Sequence, residues 1–117
     1  MSITEDGLDL QKAAAIRALN DSFRVSFAGG KIVMTHGVNS LPEHLKTAAL
    51  EYVRGFAKFD ADNDPHHEHD FGSVEVKGEK LFWKIDYYDK TMEYGSEDPS
   101  DPAQTTRVLT IMLASEY

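Results

Sequence analysis

The chain has 117 residues, 41% of them apolar and 27% charged, the composition of an ordinary globular domain long enough to bury a core. It contains no cysteine, which excludes disulfides, thiolate metal ligands and cysteine catalysis. Twelve basic side chains against 20 acidic ones give a formal charge of −8, which repels phosphate backbones and anionic lipid; a basic protein is the expected partner, and direct nucleic-acid binding is not.

The opening "MSITEDGLDLQK" carries acids and no apolar run, so it reads as neither a signal nor a transit peptide. No stretch approaches the roughly 18 apolar residues that span a bilayer, and a cytoplasmic protein without a membrane partner is expected. From Leu8 to Asn20 the residues are strong helix formers, with Leu8, Ala15, Ile16 and Leu19 along one side. "NDS" then reads as the helix exit. In "FRVSFAGGKIVMT", Phe23, Val25 and Phe27 alternate with Arg24 and Ser26, the pattern of a half-buried strand. Gly29-Gly30 supplies a tight turn, and Ile32 and Met34 continue a second strand, so the segment predicts a hairpin.

Ser40 and Glu43 frame a capping box with Pro42 in the first turn. Leu45, Ala49, Tyr52, Val53 and Phe56 recur at helical spacing and predict a helix to about Lys58 that lays this stripe on a sheet. "FGSVEV" and "KLFWKIDYY" read as two strands around Gly78. In the second, Leu81, Trp83, Ile85 and Tyr87 share the buried face, while Phe82, Lys84, Asp86 and Tyr88 share the other. The acidic "EYGSEDPSDPAQ", with Gly and two prolines, is a loop. The final "TTRVLTIMLASEY" reads as a buried strand, with a helix as the alternative over 105–115. The sum is a single α+β domain over 1–117, with two helices packed on one face of an antiparallel sheet of about four to five strands.

"NDPHHEHDFG", residues 63–72, is the densest cluster of chemistry-bearing side chains. On an extended chain, His67 and His69 point to one side and Glu68 and Asp70 to the other. Such nitrogens and oxygens can ligate zinc, manganese or iron(II), and His36 and His44 could approach in space. "DADND", residues 60–64, resembles the start of a calcium loop but lacks its glycine and its final glutamate, so an EF-hand is excluded. The bland alternative is a turn around Asn63-Asp64-Pro65 whose Asx side chains cap their own backbone. Glu75 and Lys77, with Asp70 or Asp64 upstream, make the skeleton of a metal-dependent nuclease, although Glu-x-Lys is common on solvated strands. No serine stands in a nucleophile-elbow context.

Five strings, "LNDSFR", "NDPHHEHDFG", "WKIDYYD", "GSEDPSDP" and "TTRVLTIMLASEY", together resemble a bacterial, mainly alphaproteobacterial, family of domains of unknown function. The resemblance covers nearly the whole chain and implies a stand-alone bacterial domain. It implies no activity, cofactor or partner, so no residue role is carried over from it.

Two functional readings follow. In the first, the chain is a non-enzymatic acidic protein-interaction module, an inhibitor or DNA-mimic-like binder of a nucleic-acid-handling protein. It uses Asp60, Asp62, Asp64, Glu97, Asp98 and Asp101, with Tyr88 as an aromatic contact, and needs no cofactor. In the second, a divalent metal ion is held by His67, His69, Glu68 and Asp70, for binding alone or for catalysis. Salt should weaken the first interaction, and a bound ion should reveal the second.

Overall fold

A computed structural model describes residues 5–117, with side chains from Asp9 onward. Three helices, α1 (Glu5–Ser26), α2 (His36–Asn39) and α3 (Glu43–Arg54), accompany four strands: β1 (Gly30–Met34), β2 (Phe71–Val76), β3 (Glu79–Tyr88) and β4 (Thr106–Leu113). A last 3-10 turn covers Ala114–Glu116. The strands form one sheet in the order β1-β4-β3-β2. The fold is therefore α+β with helices packed on the sheet, as expected, but the sheet is mixed. The β2–β3 and β3–β4 pairs are antiparallel, whereas β1 runs parallel to β4.

The expected hairpin at 23–35 is where the sequence misleads. "FRVS" continues α1, with Phe23 buried and Val25 56% exposed, so the short alternation is not a strand face. Phe23 follows Ile16 and Asn20 at seven and three residues, which puts all three on one helical face. Of the stripe expected on the first helix, Ile16 is buried, Leu19 half-buried and Ala15 exposed, while the side chain of Leu8 lies outside the described residues. Gly30 begins β1, which pairs with the far end of the chain.

The capping box is also absent. Pro42 stands at the N-cap of α3 with no side-chain cap bond, and Ser40 instead donates Oγ to His36 O at 2.8 Å, closing α2. Helix α3 stops at Arg54, four residues short of the expected end. Its exposed carbonyls are taken by Arg24 of α1, whose Nη1 donates to the carbonyls of Val53 (3.2 Å), Arg54 (3.1 Å) and Phe56 (2.8 Å). A cation at this position answers both the unpaired carbonyls and the negative end of the helix dipole.

The strands expected at "FGSVEV", "KLFWKIDYY" and "TTRVLTIMLASEY" hold, as β2, β3 and β4. Leu81, Trp83 and Ile85 of β3, together with Leu109 and Ile111 of β4, are buried against Phe23, Ala49 and Val53 of the helices. The stripe of α3 departs at one position: Ala49 and Val53 are buried, but Tyr52 is 52% exposed. On the opposite face of β3, Lys84 and Asp86 pair at 3.1 Å, and Tyr117 packs edge-on against Phe71 and Phe82. The β2–β3 turn is the two-residue Lys77-Gly78, with φ of 51° and 84°, the left-handed pair that such hairpins need. No helix among the described residues is long and apolar enough to cross a membrane.

Candidate functional site

The topology brings the two acidic loops to one end of the sheet. Residues 55–70 enter β2, and residues 89–105 join β3 to β4, so the start of β2, the end of β3 and the start of β4 lie together. A buried polar network ties both loops to α1. Asn20, fully buried, donates Nδ2 to Glu68 O (3.0 Å) and to the Tyr87 hydroxyl (2.8 Å). Tyr87 donates its hydroxyl to Glu68 Oε1 at 2.7 Å. Arg107 donates Nε to Asn20 Oδ1 at 2.7 Å and Nη2 to Pro99 O in the second loop, and its guanidinium stacks over the Tyr87 ring. Burial and the bond to Glu68 push the Tyr87 phenol far above its ordinary range, while burial lowers Arg107, still a cation beside Glu68.

The histidine loop docks on the same helix. Its His67 and His69 have φ of 59° and 55°, so the chain is not extended there and the expected common direction of the two rings is lost. His69 lies flat on Phe59 at 3.7 Å, with Nδ1 2.9 Å from Asp21 Oδ1 and Nε2 3.6 Å from Asp64 Oδ2. Its backbone N–H donates to Asp64 Oδ1 at 3.0 Å, and Arg17 donates to the His67 carbonyl at 2.8 Å. Glu68 is held by Tyr87, and Asp70 is pushed above the ordinary aspartate range by burial and by the neighbouring Glu68 charge.

Of the expected metal ligands, the His69 ring is thus drawn to Asp21 and Asp64 and the Glu68 carboxylate to Tyr87, away from the exposed His67. Among the described residues no group of three His, Asp or Glu side chains is placed to hold an ion. "DADND" is a self-capped turn: Asp60 Oδ1 accepts the N–H groups of Asp62 (2.9 Å) and Asn63 (3.0 Å), and Asn63 Oδ1 accepts that of Asp60 (2.9 Å). The nuclease skeleton does not assemble either. Lys77 sits in the hairpin turn, and Asp70 and Glu75 are separated by most of β2, about 17 Å of extended chain.

The acidic side chains expected at a partner surface divide by their bonding. Asp64 is 3% exposed and faces His69, so it is removed from any surface. Asp60, Asp98 and Asp101 cap their own loops. Asp98 accepts from the Ser100 hydroxyl and N–H, which holds its carboxyl below the ordinary range, and Asp101 accepts from Ala103 N (2.9 Å) and Gln104 Nε2 (2.8 Å). Asp62 and Glu97 are exposed and take no hydrogen bond from another described residue. Tyr88 is half-buried beside Thr106 and Gly95. The aromatic that does stand out is Tyr94, 71% exposed among Glu93, Glu97 and Lys90, with Met92 close by in sequence.

Sequence reasoning missed Asn20, Asp21, Arg24 and Arg107, the residues that hold the loops. One signal was present: Asn20 and Asp21 are weak helix formers in the interior of a 22-residue helix, which asks for a side-chain reason.

A four-stranded mixed sheet with helices on one face and two acid-rich loops at one end defines an α+β protein whose chemistry-bearing residues gather at that end. The family described as "Protein of unknown function (DUF3768)" matches residues 34–116, and the chain belongs to it. Comparisons with curated proteins and with solved structures find no match.

Proposed function

We propose that this chain is a small acidic protein-interaction module that binds a basic protein surface with the end of the sheet where loops 55–70 and 89–105 meet. The observation that supports the reading is the shared anchoring of both loops on Asn20, Tyr87 and Arg107, which orders two acidic segments as one surface. Asp62 and Glu97 supply unengaged charge, Asp60, Asp98 and Asp101 add to the field, and exposed Tyr94 and Met92 offer the apolar contact that charge alone lacks. In its narrower form the partner is a nucleic-acid-handling protein whose basic groove these acids fill.

The test is affinity capture from bacterial extract with the wild-type chain and with an Asp62→Lys/Glu97→Lys/Tyr94→Ala variant, at low and high salt. A specific protein retained at low salt, released at high salt and not held by the variant is the expected result. Displacement of that protein by DNA supports the narrower form. Equal capture by the variant, or retention that ignores salt, overturns the reading, because exposed charge is screened within about 10 Å at 0.1 M salt.

A further inference from the structure

We propose that the free edge of β2 is a second binding site, which takes an extended, apolar-centred peptide of a partner protein as an added strand. The site shares Phe56 and Lys58 of loop 55–70 but uses none of the acids assigned to the acidic end, and it does not rest on the reading given for that end.

Among the described residues β2 is an edge strand, paired only with β3. Its ladder phase is fixed at one end, where Ile85 N donates to Asp70 O at 2.8 Å, and at the other by the two-residue turn that closes on Val76 and Glu79. Alternation then directs the main-chain groups of Gly72, Val74 and Val76 to β3, and those of Phe71, Ser73 and Glu75 outward. Among the described residues nothing bonds to these outward groups. They recur every second residue, about 6.7 Å apart, a spacing that an extended backbone matches and a helix does not.

Beside this edge lies a groove of about 720 Å³ between β2 and the C-terminal end of α3. Its apolar lining is Tyr52, Phe56 and Val74. Tyr52 is the one member of the apolar stripe of α3 that is left more than half exposed, and it is exposed here. A strand laid along β2 would direct alternate side chains against these three and the others towards the open face, the division that gives strand addition its affinity and its specificity.

Charge narrows the choice of occupant without supplying the affinity. The groove is lined by Glu51 and Glu75 and by Lys58 and Lys80, two charges of each sign, on a chain whose net charge is −8. Glu75 and Lys80 face each other across the β2–β3 ladder, and Glu51 lies 3.5 Å from Arg54. This stretch therefore does not select for a basic ligand, and its binding is carried by main-chain bonds and apolar contact. A second copy of the chain would bring a further −8 and its own α3 against the edge, which disfavours it as the occupant.

The experiment is selection of random dodecapeptides displayed on phage against the full chain, followed by titration of the enriched synthetic peptides and amide exchange by NMR. Enriched peptides should alternate apolar residues, change affinity less than about twofold between low and high salt, and slow exchange at Phe71, Ser73 and Glu75 by about tenfold or more. Ser73→Pro, which deletes an outward N–H at a position where an edge strand tolerates proline, should abolish binding, and Asp62→Lys/Glu97→Lys should leave it unchanged. The exchange measurement on the wild-type chain keeps the test independent of how the proline variant folds. Lack of enrichment, peptides that leave those three amides unprotected, or equal binding to a folded Ser73→Pro variant would overturn the proposal. So would a concentration-dependent dimer dissolved by Ser73→Pro, which would make a second copy the occupant.

Discussion

Asn20 Oδ1 accepts the Nε–H of Arg107 at 2.7 Å, joining the middle of α1 to the start of β4 across 87 positions of sequence. Both side chains are buried, so each is the other's substitute for water. Asn20→Ala removes that acceptor and two donors at once and leaves a cation with less compensation in the interior. The expected cost is about 3 kcal/mol, read from urea unfolding, with Asn20→Asp recovering part of it through the charge on Arg107. A loss below about 1 kcal/mol would mean that the network is peripheral to the fold.

Glu116 gives a pH-dependent contribution. Its carboxylate accepts from Thr35 Oγ1 (2.6 Å), Gly37 N (3.0 Å) and Leu113 N (2.8 Å), and these bonds hold it below the ordinary glutamate range. A lowered carboxyl favours the folded state above its unfolded value of 4.5, and that contribution fades as pH falls through the folded value. The wild-type chain should therefore melt higher than Glu116→Gln at neutral pH, and the two melting curves should converge in acid. A gap that stays constant from pH 7 to pH 3 would count against this assignment.

Two glycines should respond differently to alanine. A Cβ at Gly72 would lie 2.5 Å from Trp83 Nε1, in the core, and 2.8 Å from Cζ of Phe56, which packs against it, so Gly72→Ala should cost about 2 kcal/mol or more. At Gly78 a Cβ meets nothing within 4 Å, and only the positive φ of 84° resists, for about 1 kcal/mol. Paired chemical denaturation of the two variants checks the order.

Metal ions should leave stability unchanged. An ion at about 100 times its dissociation constant would add roughly 2.7 kcal/mol, a shift of several degrees in a domain of this size. Since His69 and Glu68 are bonded to different partners and no three acids or histidines among the described residues are placed to hold an ion, zinc, manganese and calcium should each produce a melting curve that overlays that of chelator-treated protein. A rise lost in His67→Ala/His69→Ala would restore the metal reading.

β3 was readable because Leu81, Trp83, Ile85 and Tyr87 alternate over a full strand, long enough for a period of two to be unambiguous. Phe23, Val25 and Phe27 alternate over only five residues, and Phe23 and Phe27 also satisfy the i, i+4 spacing of a helix. There the deciding contacts are distant: Asn20 reaches Arg107, and Arg24 reaches the end of α3. The histidine loop was legible as a turn rich in Asx caps, which Asp60 and Asn63 are. The directions of His67 and His69 were not, because two positive φ angles break the alternation from which side-chain direction is inferred. The same long-range bonding accounts for Asp64: burial against His69 is a property of the docked loop rather than of its composition.

The parallel pairing of β1 with β4 also sets an order of events during folding. The β2–β3 hairpin can close by itself, since its partners are separated by a two-residue turn. β1 precedes it in the chain, yet residues 30–34 find ladder partners among the described residues only at 107–111. Until β4 pairs, β1 has no strand to join and β3 has one bare flank. The closing of the sheet is therefore a late event, set by the docking of β4, and the chain before that docking is the form most open to aggregation or to a chaperone.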